Sequence, residues 1–172
     1  LNHSWNDQNQ SQATLYYRDN TTEQNPSYNI RTDSKNGTPT GTYSGQTTYN
    51  AFQSYGLNFQ HSINLNPVKL IVGVMAEHSP NQAKTNDIEV FRDPKTRIYT
   101  GFNQRQLLRD FNVDVNNQAI YTQANWQALP NLNLVGGARY DWISYDFDNK
   151  LTPSKVTGAP DEKRSFHKAS PQ

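Results

Sequence analysis

The chain has 172 residues, of which only 33% are hydrophobic and 18% charged, and its net charge is +1. Soluble domains are typically about 45–50% apolar and about 25% charged. Here 21 Asn, 14 Gln and 15 Thr take the place of the missing apolar and charged residues. The chain is therefore poor in core residues although it is not highly charged. The small net charge argues against nucleic-acid binding, the lack of Cys excludes a disulfide scaffold and a thiol nucleophile, and no run approaches the roughly 20 apolar residues of a membrane helix.

The first two predicted strands alternate apolar and polar residues. Residues 8–18 form the weaker run, in which Leu15 and Tyr17 share one side. Residues 53–65 form the clearest run, and its apolar side consists of Tyr55, Leu57, Phe59, Ile63 and Leu65. A period of two is typical of a strand with one apolar and one polar face.

A third run, residues 68–78, begins directly after Asn66-Pro67, a dipeptide that breaks regular structure. Leu70, Val72 and Val74 share one side of this run. Two alternating runs on either side of so short a break predict an antiparallel hairpin with a tight turn.

The same arrangement recurs downstream. Residues 113–128 and 131–147 alternate on either side of a turn at Pro130-Asn131, and Leu132 and Leu134 begin the apolar side of the second run. Near Trp142-Ile143 the alternation changes phase, which predicts a β-bulge or a strand end at that point.

The connections between these strands are of two kinds. The two turns are very short, whereas residues 19–52, 79–112 and 148–165 are long and polar, and we expect them to be loops. Short and long connections alternate along the chain, as they do in transmembrane β-barrels. The runs also match the roughly 9–11 residues that a barrel strand needs to cross a bilayer, and aromatic residues near their ends fit interfacial girdles.

Residues in the second half resemble the barrel of TonB-dependent outer-membrane receptors. Ala119 to Trp126 (AIYTQANW) and Gly137 to Asp141 (GARYD) are similar to a strand pair common in that family, and Phe166 to Pro171 looks like the opening of the family's next strand. Arg18 to Pro26 is similar to a loop of the siderophore-receptor branch. The resemblance covers most of the chain and is strongest over residues 117–172.

The resemblance implies a barrel of 22 strands around an N-terminal plug, located in the outer membrane of a Gram-negative bacterium. It also implies contact with outer-membrane lipid and TonB-driven import of a ferric siderophore or similar ligand. The sequence supplies an antiparallel meander of about five strands and the start of a sixth, without the plug or the segment that contacts TonB. It also lacks a starting Met. We therefore expect an all-β fragment of a single barrel domain that cannot close by itself, since the smallest barrels have eight strands.

The predicted loops carry aromatic and arginine side chains that suit an anionic, aromatic iron chelate. Aromatic rings provide stacking area, and Arg provides bidentate contacts to oxygen anions. The alternatives to ligand binding are that these side chains are ordinary loop residues without a binding role, or that they contact lipid phosphates. The candidate ligand-binding residues are Tyr28, Arg31, Tyr43, Tyr49, Arg92, Tyr99 and Arg105.

Arg139 and Asp141 fall on the polar side of their strand, which would face the barrel lumen. Arg139 would then contact an anionic ligand or a plug carboxylate, or the two residues would join ion pairs between wall and plug. The second interpretation is favoured because charges enclosed in a plugged lumen need partners.

A second class of protein remains open, namely a soluble secreted β-sandwich that binds carbohydrate. It predicts two packed layers with Leu70, Val72, Val74, Leu132 and Leu134 in one buried core. No catalytic constellation supports an enzyme, and no cofactor is expected. The four His residues show no spacing typical of metal ligands.

Overall fold

The computed structural model describes residues 1–26 and 30–171, and the side chain of Pro39 is left out of the description. These residues form one antiparallel sheet. Its strands are β1 (Asn2–Ser4), β2 (Asn9–Gln24), β3 (Arg31–Lys35), β4 (Thr38–Asn64), β5 (Val68–Arg92), β6 (Tyr99–Leu129), β7 (Leu132–Asn149) and β8 (Glu162–Pro171).

The strands follow one another as a meander. The order across the sheet is β1-β2-β4-β5-β6-β7-β8, and β3 pairs with the beginning of β4. Every pairing is antiparallel and joins neighbours in the chain, apart from the β2–β4 pair that brackets β3. No helix among the described residues has the length and hydropathy to cross a membrane. The predicted all-β, open antiparallel meander is confirmed.

The strands extend much further than the sequence pattern predicts. β4, β5 and β6 contain 27, 25 and 31 residues, so the regions 19–52 and 79–112 are mostly paired strand rather than loop. The reason is that backbone pairing needs no apolar residues: where both faces meet water, polar residues occupy both sides and the alternation disappears. The connection between β7 and β8, at 150–161, is the one that remains a loop over most of its predicted length.

A tight turn at Asn36-Gly37 joins β3 to β4. Both residues have positive φ, 53° and 79°, and Lys35 pairs with Thr38 across them. Two central residues with positive φ define the hairpin turn whose twist matches that of the flanking strands, and Asn-Gly is its preferred sequence. β3 therefore continues the line of β2 along the outer part of β4.

The sheet has two chemically distinct faces. Ile63 lies opposite Leu70 across the first short turn, and Trp126 lies opposite Leu134 across the second, so both predicted hairpins are present in the predicted phase. The apolar face carries exposed large side chains from every long strand. They are Leu15, Leu57, Phe59, Val72, Val74, Ile120, Trp126, Leu134 and Trp142.

This single layer rules out the β-sandwich. Among the described residues there is one sheet and no second layer over it. Of the five residues that a sandwich would bury together, Val72, Val74, Leu132 and Leu134 are 40–46% exposed. An exposed apolar face of this size is unfavourable in water. In the wall of a membrane barrel such a face contacts lipid instead.

The β-bulge predicted near Trp142-Ile143 is absent, and that prediction was wrong. Gln118 and Asn117 of β6 pair with these two residues in unbroken register. The change of phase comes from the side chains instead. Beyond this point the opposite face carries aromatic residues, and Tyr145 contacts Phe166 while Phe111 contacts Phe147 with ring centroids 6.0 and 5.2 Å apart.

Candidate ligand-binding surface

The polar face carries a network around Glu77 of β5. Its carboxylate accepts hydrogen bonds from the hydroxyl of Tyr16 and, at 3.1 Å, from Oγ of Ser79, and it forms a 3.1 Å ion pair with Arg18. Ser54, which is fully buried, lies 3.4 Å from the same guanidinium. The network ties β2, β4 and β5 together across the polar face.

Two tyrosines on this face lie over glycines of the neighbouring strand. The Tyr16 ring covers Gly56, its register partner, and the Tyr121 ring covers Gly73. A Cβ at either glycine would overlap the ring, so the missing side chain is what admits the tyrosine. The Tyr121 hydroxyl then reaches Oδ1 of Asn58 at 3.2 Å.

Arg139 and Asp141, predicted from sequence as lumen or plug contacts, pair with each other. Nε of Arg139 donates to both carboxylate oxygens of Asp141 at 2.9 and 3.1 Å, and its Nη2 lies 2.8 Å from Oδ1. The same Nη2 is 3.8 Å from the sulfur of Met75. Both side chains are about three-quarters buried, so their charges are balanced within one strand.

We call the parts of the sheet at residues 31–52 and 79–112 the outer hairpins, and the part that carries the exposed apolar side chains named above the apolar region. A second charged cluster lies on the polar face of the outer hairpins, beyond the apolar region. Arg105 contacts Glu89 at 3.1 Å and Asp33 at 3.9 Å. Hydrogen bonds from Ser44 and Thr42, together with the nearby guanidinium groups, lower the pKa of Asp33. Arg31, which lies opposite Ser44 in the register, points to this face as well. Two of the predicted ligand-binding residues, Arg31 and Arg105, therefore meet here, and the two acidic partners were not predicted.

Three other predicted residues, Tyr43, Arg92 and Tyr99, meet on the opposite face. The guanidinium carbon of Arg92 lies 5.5 and 5.4 Å from the centroids of the two tyrosine rings. Nη1 of Arg92 also donates to the Tyr43 hydroxyl at 3.4 Å, and its Nε donates to the carbonyl of Arg97 at 2.7 Å. We call these three residues the Arg92 clamp.

The face of the Arg92 clamp follows from the register. β4 and β5 stay in one register from the Tyr43–Val90 pair to the Asn64–Lys69 pair. Counting along them, Tyr43 and Arg92 lie on the side of Leu57 and Val74, which is the apolar face. The guanidinium of Arg92 is occupied by Tyr43, Tyr99 and the carbonyl of Arg97, and is not presented to the polar face.

The remaining predicted residues are apart from both groups. Tyr49 lies on the apolar side of β4, opposite Glu23 and Lys84. Tyr28 falls outside the described residues. Glu77, Asp33 and Glu89 were missed, because an acid inside a polar run carries no signal until the register gives it a cationic neighbour. Within the described ranges, no group of three or more His, Cys, Asp or Glu side chains could hold a metal ion.

One sheet with an exposed apolar face, a polar face of balanced charges and hairpins that extend from one end defines a segment of an outer-membrane β-barrel wall. Residues 1–172 match the family model described as TonB dependent receptor-like, beta-barrel. The chain belongs to this family of Gram-negative outer-membrane proteins, whose members are receptors and transporters rather than enzymes.

A solved structure supports the same fold. The chain is similar to the copper transporter OprC with a TM-score of 0.64 and 17% sequence identity, over 97% of this chain and 24% of OprC. The chain thus spans about a quarter of the length of that protein. No match is found among curated proteins.

Proposed function

We propose that this chain forms part of the wall and outer hairpins of a TonB-dependent transporter that imports a ferric siderophore or a similar ligand. The supporting observation is the arrangement of the two faces. One face exposes large apolar side chains, as a lipid-facing wall would, and the other carries the Arg139–Asp141 pair and the cluster of Arg31, Asp33 and Arg105, which would line the lumen. The whole transporter would also include a plug and contact TonB.

Arg31 is the residue in that cluster best suited to an incoming anion. Arg105 is already compensated by Glu89 and Asp33. The Arg31 side chain is exposed and makes no ion pair within the described ranges. A guanidinium at the mouth of the lumen gives bidentate contacts to carboxylate or hydroxamate oxygens.

Uptake of radiolabelled ferric siderophore tests this function. The full-length receptor is expressed in a strain that lacks its own siderophore receptors, with and without TonB. We expect TonB-dependent uptake that Arg31→Ala reduces and that Lys35→Ala, in the same hairpin, leaves unchanged. Uptake of copper in place of iron, the cargo named for OprC, would contradict the siderophore proposal and retain the transporter class.

A further inference from the structure

Three polar side chains on the apolar face are hydrogen-bonded to one another close to the short turns. Nε1 of Trp5 donates to Oγ of Ser11 at 2.9 Å, and the same Oγ lies 2.9 Å from Nδ1 of His61. Ser11 pairs with His61 across β2 and β4, and His61 pairs in turn with Val72. His3 lies opposite Ser11, and its ring contacts the Trp5 ring with centroids 4.5 Å apart. We call His3, Trp5, Ser11 and His61 the histidine patch.

The direction of these hydrogen bonds leaves His61 with a donor to spare. An indole N–H can only donate, so Ser11 accepts from Trp5 and still has its own hydroxyl proton to place. Among the described residues the acceptor within reach of that proton is Nδ1 of His61, and a hydroxyl without an acceptor in an apolar setting costs free energy. Nδ1 is therefore the unprotonated nitrogen of the neutral ring, and Nε2 carries the hydrogen. Within the described ranges this Nε2 donates to no protein group.

The histidine patch lies at the depth where lipid headgroups of the periplasmic leaflet would meet the wall. Short turns are at the periplasmic end of outer-membrane barrels. His61 is three residues from the end of β4, and Ser11 is two residues from the start of β2. With a rise of about 3.3 Å per residue and a tilt of about 40°, these positions are about 5–8 Å from the strand ends along the membrane normal. Trp126, three residues from the end of β6, is exposed on the same face at the same depth, as expected of an interfacial aromatic residue.

We propose that the histidine patch binds the phosphate group of a phospholipid in the periplasmic leaflet. Nε2–H of His61 donates to a phosphate oxygen, since the same N–H against hydrocarbon alone would stay unpaired at a cost in free energy. The acyl chains of that lipid continue along Phe59 and Val74, which pair with each other toward the middle of the apolar region and are 40% and 45% exposed. The inference rests on the proposed placement of the wall, with its apolar face toward lipid, and not on the identity of the imported ligand.

Solid-state NMR of the full-length receptor in phosphatidylglycerol bilayers tests the site. The histidine rings are labelled with ¹⁵N, and dephasing of a ring nitrogen by ³¹P measures its proximity to phosphate; the buffer contains no phosphate, so the phosphorus belongs to the lipid. His61→Leu assigns the signal, and Ser11→Ala removes the group that fixes the tautomer. Thr122→His is the depth control, because Thr122 lies in the same row of the same face but seven residues from the end of β6. Circular dichroism verifies that each variant keeps its strands.

We expect a protonated Nε2 signal that ³¹P dephases in the unsubstituted receptor and that disappears in His61→Leu. Ser11→Ala should reduce the dephasing by roughly half, because the neutral ring is then divided between its two tautomers, and the ring introduced by Thr122→His should show none. Absence of dephasing at His61, equal dephasing in the depth control, or no change in Ser11→Ala would overturn the proposal. Contacts between Val74 and acyl-chain protons in the same sample test the placement of the wall separately: their presence without dephasing at His61 would overturn the phosphate site and retain the lipid-facing wall.

Discussion

Apolar side chains of one face are exposed in the apolar region of the sheet and buried in the outer hairpins. At the apolar region, Phe59 and Val74 lie side by side and remain exposed. In the outer hairpins, Ile88 and Val90 of the same face are 0% and 3% exposed, and Ile30 packs beside Gly45 and Ile88. The first region leaves its apolar side chains to lipid, whereas the second is surrounded by water and builds a small core of its own.

The largest expected effect comes from placing a charge on the face that lipid covers. Val74→Lys should lower the free energy of unfolding by about 2–4 kcal/mol, because a cation on the lipid face must leave water. Equilibrium unfolding of the full-length receptor in lipid vesicles measures it.

The matched control is Gln82→Lys, eight residues further along the same face of β5 and within the outer hairpin. It should change the free energy of unfolding by about 0.5 kcal/mol or less, as surface substitutions usually do. Equal costs at the two positions would mean that the face is not divided between lipid and water.

A smaller effect is expected where a tyrosine covers a glycine. In Gly73→Ala the new methyl group would displace the Tyr121 ring, and overpacking of this kind costs about 1–3 kcal/mol. Gly136→Ala is the control, because a Cβ there would have open space. In a Tyr121→Ala background, Gly73→Ala should lower the free energy of unfolding by much less, as the same unfolding experiment would measure. If the loss of stability persisted in that background, its cause would be strain in the backbone.

Loss of the Arg92 clamp should affect only the turn between β5 and β6, residues 93–98, which we call the tip. Arg92→Ala removes two ring contacts, each contributing about 0.5–1 kcal/mol at an exposed site. We expect faster amide hydrogen exchange in residues 93–98 and little change in global unfolding. Lys84→Ala, which removes a cation from the same face, should leave exchange at the tip unchanged. Faster exchange throughout β5 in the Arg92 variant would contradict a local role.

The division between the two regions also explains what sequence reasoning could find. The alternation in Tyr55 to Leu65 is visible because one side of it carries exposed apolar residues and the other carries polar residues, and the same holds for Leu70 to Val74. In the outer hairpins most residues on both sides are polar, apart from a few such as Ile88 and Val90, and no extended periodic pattern marks the strand. Asn36-Gly37 is the one local signal of a hairpin there, and it marks a turn without indicating how far the strands extend.

For the same reason, only some residues of the candidate site could be assigned to a face of the sheet from the sequence. Arg139 and Asp141 could be placed on one face, since their positions are two residues apart in a strand of clear period. For Tyr43 and Arg92 the face depends on counting through residues 79–92 as an unbroken strand, which no pattern in that stretch indicates. Their aromatic and cationic character was therefore visible in the sequence, whereas their position on the apolar face of the sheet was not.

The smallest expected effect concerns pH. Hydrogen bonds from Ser44 and Thr42 hold the pKa of Asp33 below its ordinary value near 3.8. A depressed pKa means that the unfolded hairpin binds the proton more readily than the folded one. The contribution of Asp33 to the β3–β4 hairpin is therefore complete above pH 3.8 and is lost as the pH falls through the lowered pKa.

Amide exchange in residues 31–44, compared at pH 6 and below pH 3.8, measures this loss after correction for intrinsic exchange rates. Asp33→Asn should abolish the pH dependence in the β3–β4 hairpin and leave that of the tip intact. Asp93→Asn should do the reverse, because hydrogen bonds from the backbone of Thr96 and Lys95 lower the pKa of Asp93. If either variant changed the pH dependence of amide exchange in both hairpins, the outer hairpins would respond to acid as one unit. The separate hydrogen bonds of Asp33 and Asp93 could then not explain that pH dependence.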